Sequence, residues 1–437
     1  MKANRSRKQK INIVTLGCSK NVVDSEKLAR QLEMNGVDIL HNAETSEAQT
    51  VIVNTCGFIR DSKDESIQSI LGFIKARKDG LLNHVYVMGC LSERYKPELE
   101  KEIGEVDQYF GVNSLEEIVR TLGYDYKKNL LGERQLSTPG HYAYLKISEG
   151  CDRSCAFCAI PLIRGKHVSI PAEELVKEAS FLARKGVKEL ILIAQDLTYY
   201  GRDTHKKSML ASLLRSLAGI NGIEWIRLHY AYPASFPREV IQFMKEEPKI
   251  CRYIDIPFQH ISDPMLQKMR RNINKAETYD LIQYIREELP GVALRTTLMV
   301  GHPGETAKDF GELCEFVEKS RFERLGTFSY SHEEDTFGWK NYKNNVPESV
   351  KKSRLEKLMR IQQEISNDLN NKKIGSLLKV LVDRREGDFY IARSESDSPE
   401  VDNEILIPVH TGTFMPGTFV QVRIIDATEF DLTAMPV

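Results

Sequence analysis

The sequence predicts an α/β protein in three parts: an N-terminal parallel α/β sheet domain, a central partial (β/α)6 barrel of TIM-like build, and a small C-terminal antiparallel β-barrel. Three observations predict it. Up to about residue 136, β-rich apolar runs alternate with amphipathic stretches, as strands covered by helices on both faces do. Six more such runs follow between 142 and 330, two short of the eight that close a full barrel. After 370 the period falls to two, broken by Gly, Pro and Asp turns. A length of 437 residues agrees with about three domains at roughly 150 residues each. The expected bounds are 1–136, 137–369 and 370–437.

In the first part INIVTLG, TVIVNTC and HVYVMGC are the strands, and DSEKLARQLEMNG, ESIQSILGFIKARKDG and LSERYKPELEKEIG are the helices. The polar stretch GERQLSTPGH, 132–141, is expected to be a linker. In the second part the strands are YAYLKIS, KELILIAQD, EWIRLHY, YIDIPF, VALRTTLMVG and RLGTFSYS, and VPESVKKSRLEKLMRIQQEISNDLN reads as one long charged amphipathic helix. In the third, SLLKVLVDRREGDFYIARS, NEILIPV and TFVQVRIIDATEFDLTAMPV supply about five strands.

Composition removes some function classes. A formal net charge of −1 favours neither a nucleic-acid binder nor a membrane-surface protein. The longest apolar runs, such as ELILIA, fall far short of the ~20 residues of a membrane span. The basic start MKANRSRKQK leads into a core strand rather than an apolar signal region, so it reads as a short basic tail, or else a ribosome- or RNA-contacting arm. The expected compartment is the reducing cytoplasm, where eight cysteines suit metal or catalysis better than disulfides.

Residues 149–161 read EGCDRSCAFCAIP, a C-x3-C-x2-C spacing over Cys151, Cys155 and Cys158. A structural zinc site takes four ligands, usually from two C-x2-C knuckles, and no fourth partner is near. Three thiolates on a cube of four irons leave one iron open to substrate or cofactor. The motif follows the first strand of the barrel-like part, at the end where such barrels place their chemistry. Cys18, Cys56 and Cys90 also end strands, in VTLGC, VIVNTC and VYVMGC. The C-terminal ends of parallel strands share one edge, where open α/β sheets bind ligands. These positions read as a second cluster site, or more plainly as three separate buried thiols. Cys251 and Cys314 read as structural.

The C-x3-C-x2-C motif, with aromatic Phe157 before its last cysteine, resembles the signature of the radical S-adenosylmethionine superfamily. The resemblance implies that the open iron chelates the methionine part of the cofactor. It also implies reductive cleavage to a 5′-deoxyadenosyl radical, which takes hydrogen from an unreactive carbon. Two sets of three cysteines with a terminal β-barrel resemble the methylthiotransferases over nearly the whole chain. That implies an N-terminal methylthiotransferase domain, a radical core and a TRAM domain. It further implies two 4Fe–4S clusters, on Cys18, Cys56 and Cys90 and on Cys151, Cys155 and Cys158, with S-adenosyl-L-methionine also as methyl donor. The net reaction it implies turns C–H into C–S–CH3.

The stretches EGCDRSCAFCAIPLIRGKHVS, AQDLTYYG, YAYPASFP, IDIPFQHIS and LRTTLMVGHPGET resemble one branch of that family. This branch acts on the β-carbon of an aspartate in the twelfth small-subunit ribosomal protein; the alternative branch acts on adenosine in transfer RNA. Charge bears on the choice. Residues 374–437 hold five Lys and Arg against eleven Asp and Glu. A domain built to grip phosphates should be basic. An acidic one suits a basic ribosomal protein, or is simply a solvated surface. The expected partners are therefore a basic small-subunit ribosomal protein, free or on the ribosome, and an electron donor such as flavodoxin or ferredoxin, with tRNA only under the alternative. A non-catalytic iron–sulfur carrier with an RNA-binding barrel is the reading from another class; open irons oppose it.

Further residues carry two readings each. Gln195 and Asp196 end the second barrel strand, as cofactor contacts or a plain strand end. Arg227 pairs with a cofactor carboxylate or sits in a structural ion pair. Gly301 lets the backbone approach the cofactor's adenine, or makes a turn. His260 faces the site or is a satisfied structural histidine, and Glu333, Glu334 and Asp335 form a solvated loop or meet a basic substrate.

Overall fold

The computed structural model describes residues 9–43, 48–130 and 132–437; most of the basic tail, 1–8, lies outside them. The chain divides into two units. One runs to Thr138 and takes in Glu149–Asp152 and Ala159–Lys166. The other holds Pro139–Ser148, Arg153–Cys158 and everything from His167. The second and third parts of the sequence reading thus share one unit. Among the described residues no helix is long and apolar enough to cross a membrane.

The first unit is built on a parallel sheet of β1 (Lys10–Thr15), β2 (Asp38–His41), β3 (Thr50–Thr55), β4 (His84–Gly89) and β5 (Gln108–Tyr109), in the order β2-β1-β3-β4-β5. Its helices are α1 (Ser19–Glu33), α2 (Arg60–Lys78), α3 (Cys90–Glu102) and α4 (Leu115–Thr121). The central strand β3 is buried throughout because alternate residues feed two cores. Val51 and Val53 pack with Ile70, Ile74 and Val87 on one face, and Ile52 packs with Leu28, Leu32 and Ile118 on the other. Strands β2 and β5 are additions to the three read from sequence. They are short, and β2 is only half-buried, so neither produces a long apolar run.

The stretch expected to be a linker is instead packed down. Arg134, fully buried, pairs with buried Glu26 of α1 at 3.0 Å. The Ser137 N–H and hydroxyl also donate to Glu26, at 2.8 and 3.0 Å. A buried carboxylate needs such partners, and the polar letters that suggested a loop supply them.

The second unit holds six parallel strands in chain order: β6 (Tyr142–Lys146), β7 (Glu189–Ile193), β8 (Trp225–Leu228), β9 (Ile250–Asp255), β10 (Ala293–Val300) and β11 (Arg324–Ser329). In chain order α5 (Ile160–Arg164) belongs to the first unit, while α6 (Ala172–Arg184), α7 (Leu210–Ala218), α8 (Arg238–Glu246), α9 (Lys275–Glu288) and α10 (Ala307–Ser320) lie between the strands of the second; the long helix is α11 (Glu348–Asn371). A closed five-stranded barrel follows, made of β12 (Leu377–Glu386), β13 (Phe389–Ser394), β14 (Ile405–Pro408), β15 (Phe419–Ala427) and β16 (Leu432–Pro436). It departs from the expected antiparallel pattern at one seam, since β14 pairs with β16 in parallel.

This barrel is fastened to one face of the six-stranded sheet. Trp225, Cys251, Tyr253 and Ala293 of the sheet pack with Leu381 and Phe419 of the barrel. Beside them runs a buried charge network. Arg393 donates to Glu189 at 2.8 Å and to Asp383 at 2.5 Å, and Asp383 also meets His141 at 2.7 Å. Arg324 pairs with Asp397, and Arg295 pairs with Asp402, which also accepts from the Tyr253 hydroxyl. Several of the eleven acidic residues therefore face inward. The net charge of the segment overstates what it offers to a partner.

Burial alone would raise the Asp397 carboxyl, but Arg324 and Lys373 hold it down to about 2. Against an unfolded value of about 3.9, this carboxylate contributes stability that is complete above about pH 4 and is lost on acidification to about pH 2. Trp225 lies edge-on to Phe419 at 4.8 Å and reports the seam. In a Trp339→Phe chain, the emission of Trp225 should hold steady from neutral pH to about 4 and change between about 4 and 2. A transition centred well above that window would contradict this account of the interface.

Candidate functional site

Two constellations of cysteines stand at strand ends. In the first unit β1, β3 and β4 are adjacent and in register, with Thr15 opposite Asn54 and Thr55 opposite Gly89. Their chains leave the sheet together. Cys18 caps α1, Cys56 follows β3 directly, and Cys90 opens α3. The structure thus brings Cys18, Cys56 and Cys90 to one edge. Cys18 and Cys90 also sit at helix N-termini. Gly17 makes the approach possible: its φ is +88°, and a side chain there would place its Cβ 2.7 Å from that of Cys56.

Asn21 fills the middle of this edge. Its amide donates to the carbonyls of Leu16 and Thr55 at 2.8 and 3.0 Å, and its oxygen stands 3.8 Å from the Cys90 sulfur. Buried Arg164 donates to the same oxygen at 2.7 Å and to Glu149 and Asp24. Burial pushes the Cys90 thiol up to about 12; Arg164 draws it down, while Cys18 and Cys56 push it further up. Such thiols stay protonated alone and ionise outright beneath a bound cation.

The second constellation is the loop after β6. The Cys151 N–H donates to Gly165 at 3.1 Å. Further along, Ala156 donates to Met269 at 3.0 Å and accepts from Gly338 at 2.6 Å, and Cys158 donates to Cys155 at 3.2 Å. Asp196, just past β7, is buried and accepts from Arg153 at 2.8 Å, tying the loop to the next strand end. The Arg153 guanidinium lies 3.9 Å over the Tyr232 ring. Arg271 reaches the Cys155 sulfur at 3.2 Å, with the Tyr232 hydroxyl 3.9 Å from the same atom. Phe157 packs against an apolar wall of Met265, Met269, Met299 and Tyr330.

The other expected residues divide. Gln195 stands half-buried beside Asp196 on the same edge. Arg227 is corrected: it is fully buried and taken up by Glu189 at 2.7 Å and by the carbonyls of Glu395 and Ser394, because it shares with Trp225 the face that meets the barrel. Gly301 has a φ of +76° at the end of β10. The space its missing side chain leaves is filled by Lys351, and its N–H donates to Glu305. His260 is structural: its Nδ1 accepts from the N–H groups of Ile261 and Ser262. Glu333 is buried, and Asp335 pairs with Lys340, so that trio is not a simple solvated loop. Sequence reasoning missed Asn21, Arg164, Tyr232 and Arg271: Asn21 stands three residues after Cys18, and Arg164 and Tyr232 lie within stretches quoted above, but only the fold shows what their side chains meet.

The donor sets fit the implied groups. Each offers three soft thiols and no fourth, as a cluster with one open iron requires. Among the described residues no three His, Cys, Asp or Glu side chains close on a point as a single-ion cage would. A cube of four irons spreads its thiolates wider than one ion does. Gly17→Ala should displace Cys56 as well as strain the backbone by ~1–2 kcal/mol. Gly36→Ala has a similar φ of +86° but nothing within 4 Å. After anaerobic reconstitution, iron should fall by about half in Gly17→Ala and stay full in Gly36→Ala. Equal iron in the two would contradict the role of this edge.

Comparison with known proteins agrees with this geometry. Residues 10–111 match the uncharacterized protein family UPF0004, residues 145–317 the radical SAM superfamily, and residues 374–437 the TRAM domain. A protein of Cytophaga hutchinsonii named ribosomal protein uS12 methylthiotransferase RimO is 54% identical over 432 residues, covering 99% of each chain. One of the same name from Flavobacterium johnsoniae is 54% identical over 437 residues, covering 100% of each. Among solved structures, the radical S-adenosylmethionine methyltransferase TsrM of Kitasatospora setae aligns with a TM-score of 0.54 at 15% identity, over 74% of this chain and 75% of that one, a likeness of fold. The chain belongs to the ribosomal protein uS12 methylthiotransferase RimO family.

Proposed function

We propose that this chain converts the β-carbon C–H of an aspartate in small-subunit ribosomal protein uS12 into C–S–CH3, as a radical S-adenosylmethionine methylthiotransferase of the cytoplasm. The observation that carries the reading is 54% identity, over essentially the whole chain, with proteins bearing that name. The proposed domains are 1–136, 137–369 and 370–437. Cys151, Cys155 and Cys158 hold the cluster that takes the cofactor, and Cys18, Cys56 and Cys90 hold the auxiliary one. A flavodoxin or ferredoxin supplies electrons.

When bound, these groups supply the radical that removes hydrogen from the aspartate carbon, and the sulfur and methyl that replace it. An aliphatic C–H has no acidic proton for a side-chain base, so no residue is assigned as general base. The chain's own residues bind, hold and shield. Asp196 fixes Arg153 and with it the cysteine loop. Phe157, on its methionine wall, keeps water from one side of that loop. Phe157, Gln195 and Gly301 are the proposed cofactor contacts. Asn21 binds two strand ends together between the three auxiliary cysteines. Inward pairing of the acidic barrel residues moves the choice of substrate away from charge and onto family membership.

Mass spectrometry of uS12 and of transfer RNA from cells lacking the gene tests the substrate. The expected result is loss of a methylthio mass from one aspartate of uS12, with transfer RNA unchanged. Loss of a methylthioadenosine from transfer RNA, with uS12 unaltered, would contradict the proposal.

A further inference from the structure

A buried guanidinium needs a counter-charge. Arg271 is 4% exposed, and among the described residues no carboxylate pairs with it. Its contacts are few. One terminal nitrogen donates to the Cys155 sulfur at 3.2 Å, and the other donates to the Pro257 carbonyl. Nε is buried without a hydrogen-bond partner. The guanidinium lies 4.4 Å over the Tyr232 ring, and the Tyr232 hydroxyl donates to the Arg271 carbonyl at 2.6 Å, closing a clamp that fixes the side chain on the sulfur. The hydrogen bond that this buried cation makes toward the cysteine loop is to the Cys155 sulfur.

We propose that Arg271 is a positioning residue that sets the reduction potential of the cluster held by Cys151, Cys155 and Cys158. The inference rests on the proposed function for the existence of that cluster. Reduction moves one electron from a low-potential one-electron donor onto the cluster, with no bond made or broken, and adds one negative charge. A cation hydrogen-bonded to a ligating sulfur stabilises the reduced state more than the oxidised one. Arg271 therefore raises the potential and eases the entry of the electron. Lysine keeps the charge without the planar fork, and glutamine keeps neither.

The test is a dithionite titration of the reconstituted full chain, followed by electron paramagnetic resonance on the signal that changes when S-adenosylmethionine is added. Iron content is measured alongside. Arg271→Gln should keep its iron and shift the midpoint to more negative potential, with Arg271→Lys between it and the unaltered chain. An unchanged midpoint in an iron-replete Arg271→Gln chain overturns the inference. So does failure of both variants to assemble the cluster, which would make Arg271 a requirement of assembly. If the unaltered chain shows no cofactor-responsive signal, the proposed function fails, and this inference with it.

Discussion

Parallel strand pairing is the constraint on which the rest depends. Every strand of the five-stranded and six-stranded sheets runs the same way as its neighbours, so all C-terminal ends of a sheet lie on one edge. A residue placed just past a strand is delivered there however far apart its companions are in sequence. Cys18, Cys56 and Cys90, each more than thirty residues from the next, become neighbours on this principle. The loop of Cys151, Cys155 and Cys158 uses the same geometry after β6, and Asp196 after β7 braces it. Helices cover both faces of the five-stranded sheet, which explains why β3 is buried at every position.

The C-terminal barrel shows the opposite use of polar residues. Asp383, Asp397 and Asp402 serve Arg393, Arg324 and Arg295 inside a seam rather than facing solvent. Removing one partner from such a seam leaves a buried charge, which typically costs about 3–5 kcal/mol. The barrel is therefore part of the body of the second unit and not a charged module on a tether. Its net charge describes its interior as much as its surface.

Much of this was legible in the sequence, for physical reasons. A parallel sheet announces itself in apolar runs, and the cysteines stand at the ends of those runs. The long helix and the five closing strands follow from their periods. What was not legible depends on the identity of a distant partner. Arg227 sits at a strand position where both inward readings were open, and only the docked barrel decides for Glu189. Gly301 has the conformation expected of it, but Lys351 occupies the space it leaves. The polar stretch 132–141 reads as a linker because its letters are polar; Glu26, more than a hundred residues earlier, turns them into a buried anchor. Arg271 carries no signal at all until the fold brings it to Cys155.

The measurement that bears most directly on the central claim is a paired one on two triple variants, each reconstituted anaerobically. The claim is that two independent sets of three cysteines each hold one cluster. Replacing Cys151, Cys155 and Cys158 by alanine should remove about half of the iron and abolish cleavage of S-adenosylmethionine to 5′-deoxyadenosine. Replacing Cys18, Cys56 and Cys90 should also remove about half of the iron, spare the cleavage and stop sulfur insertion. Undiminished iron in either variant would contradict the account.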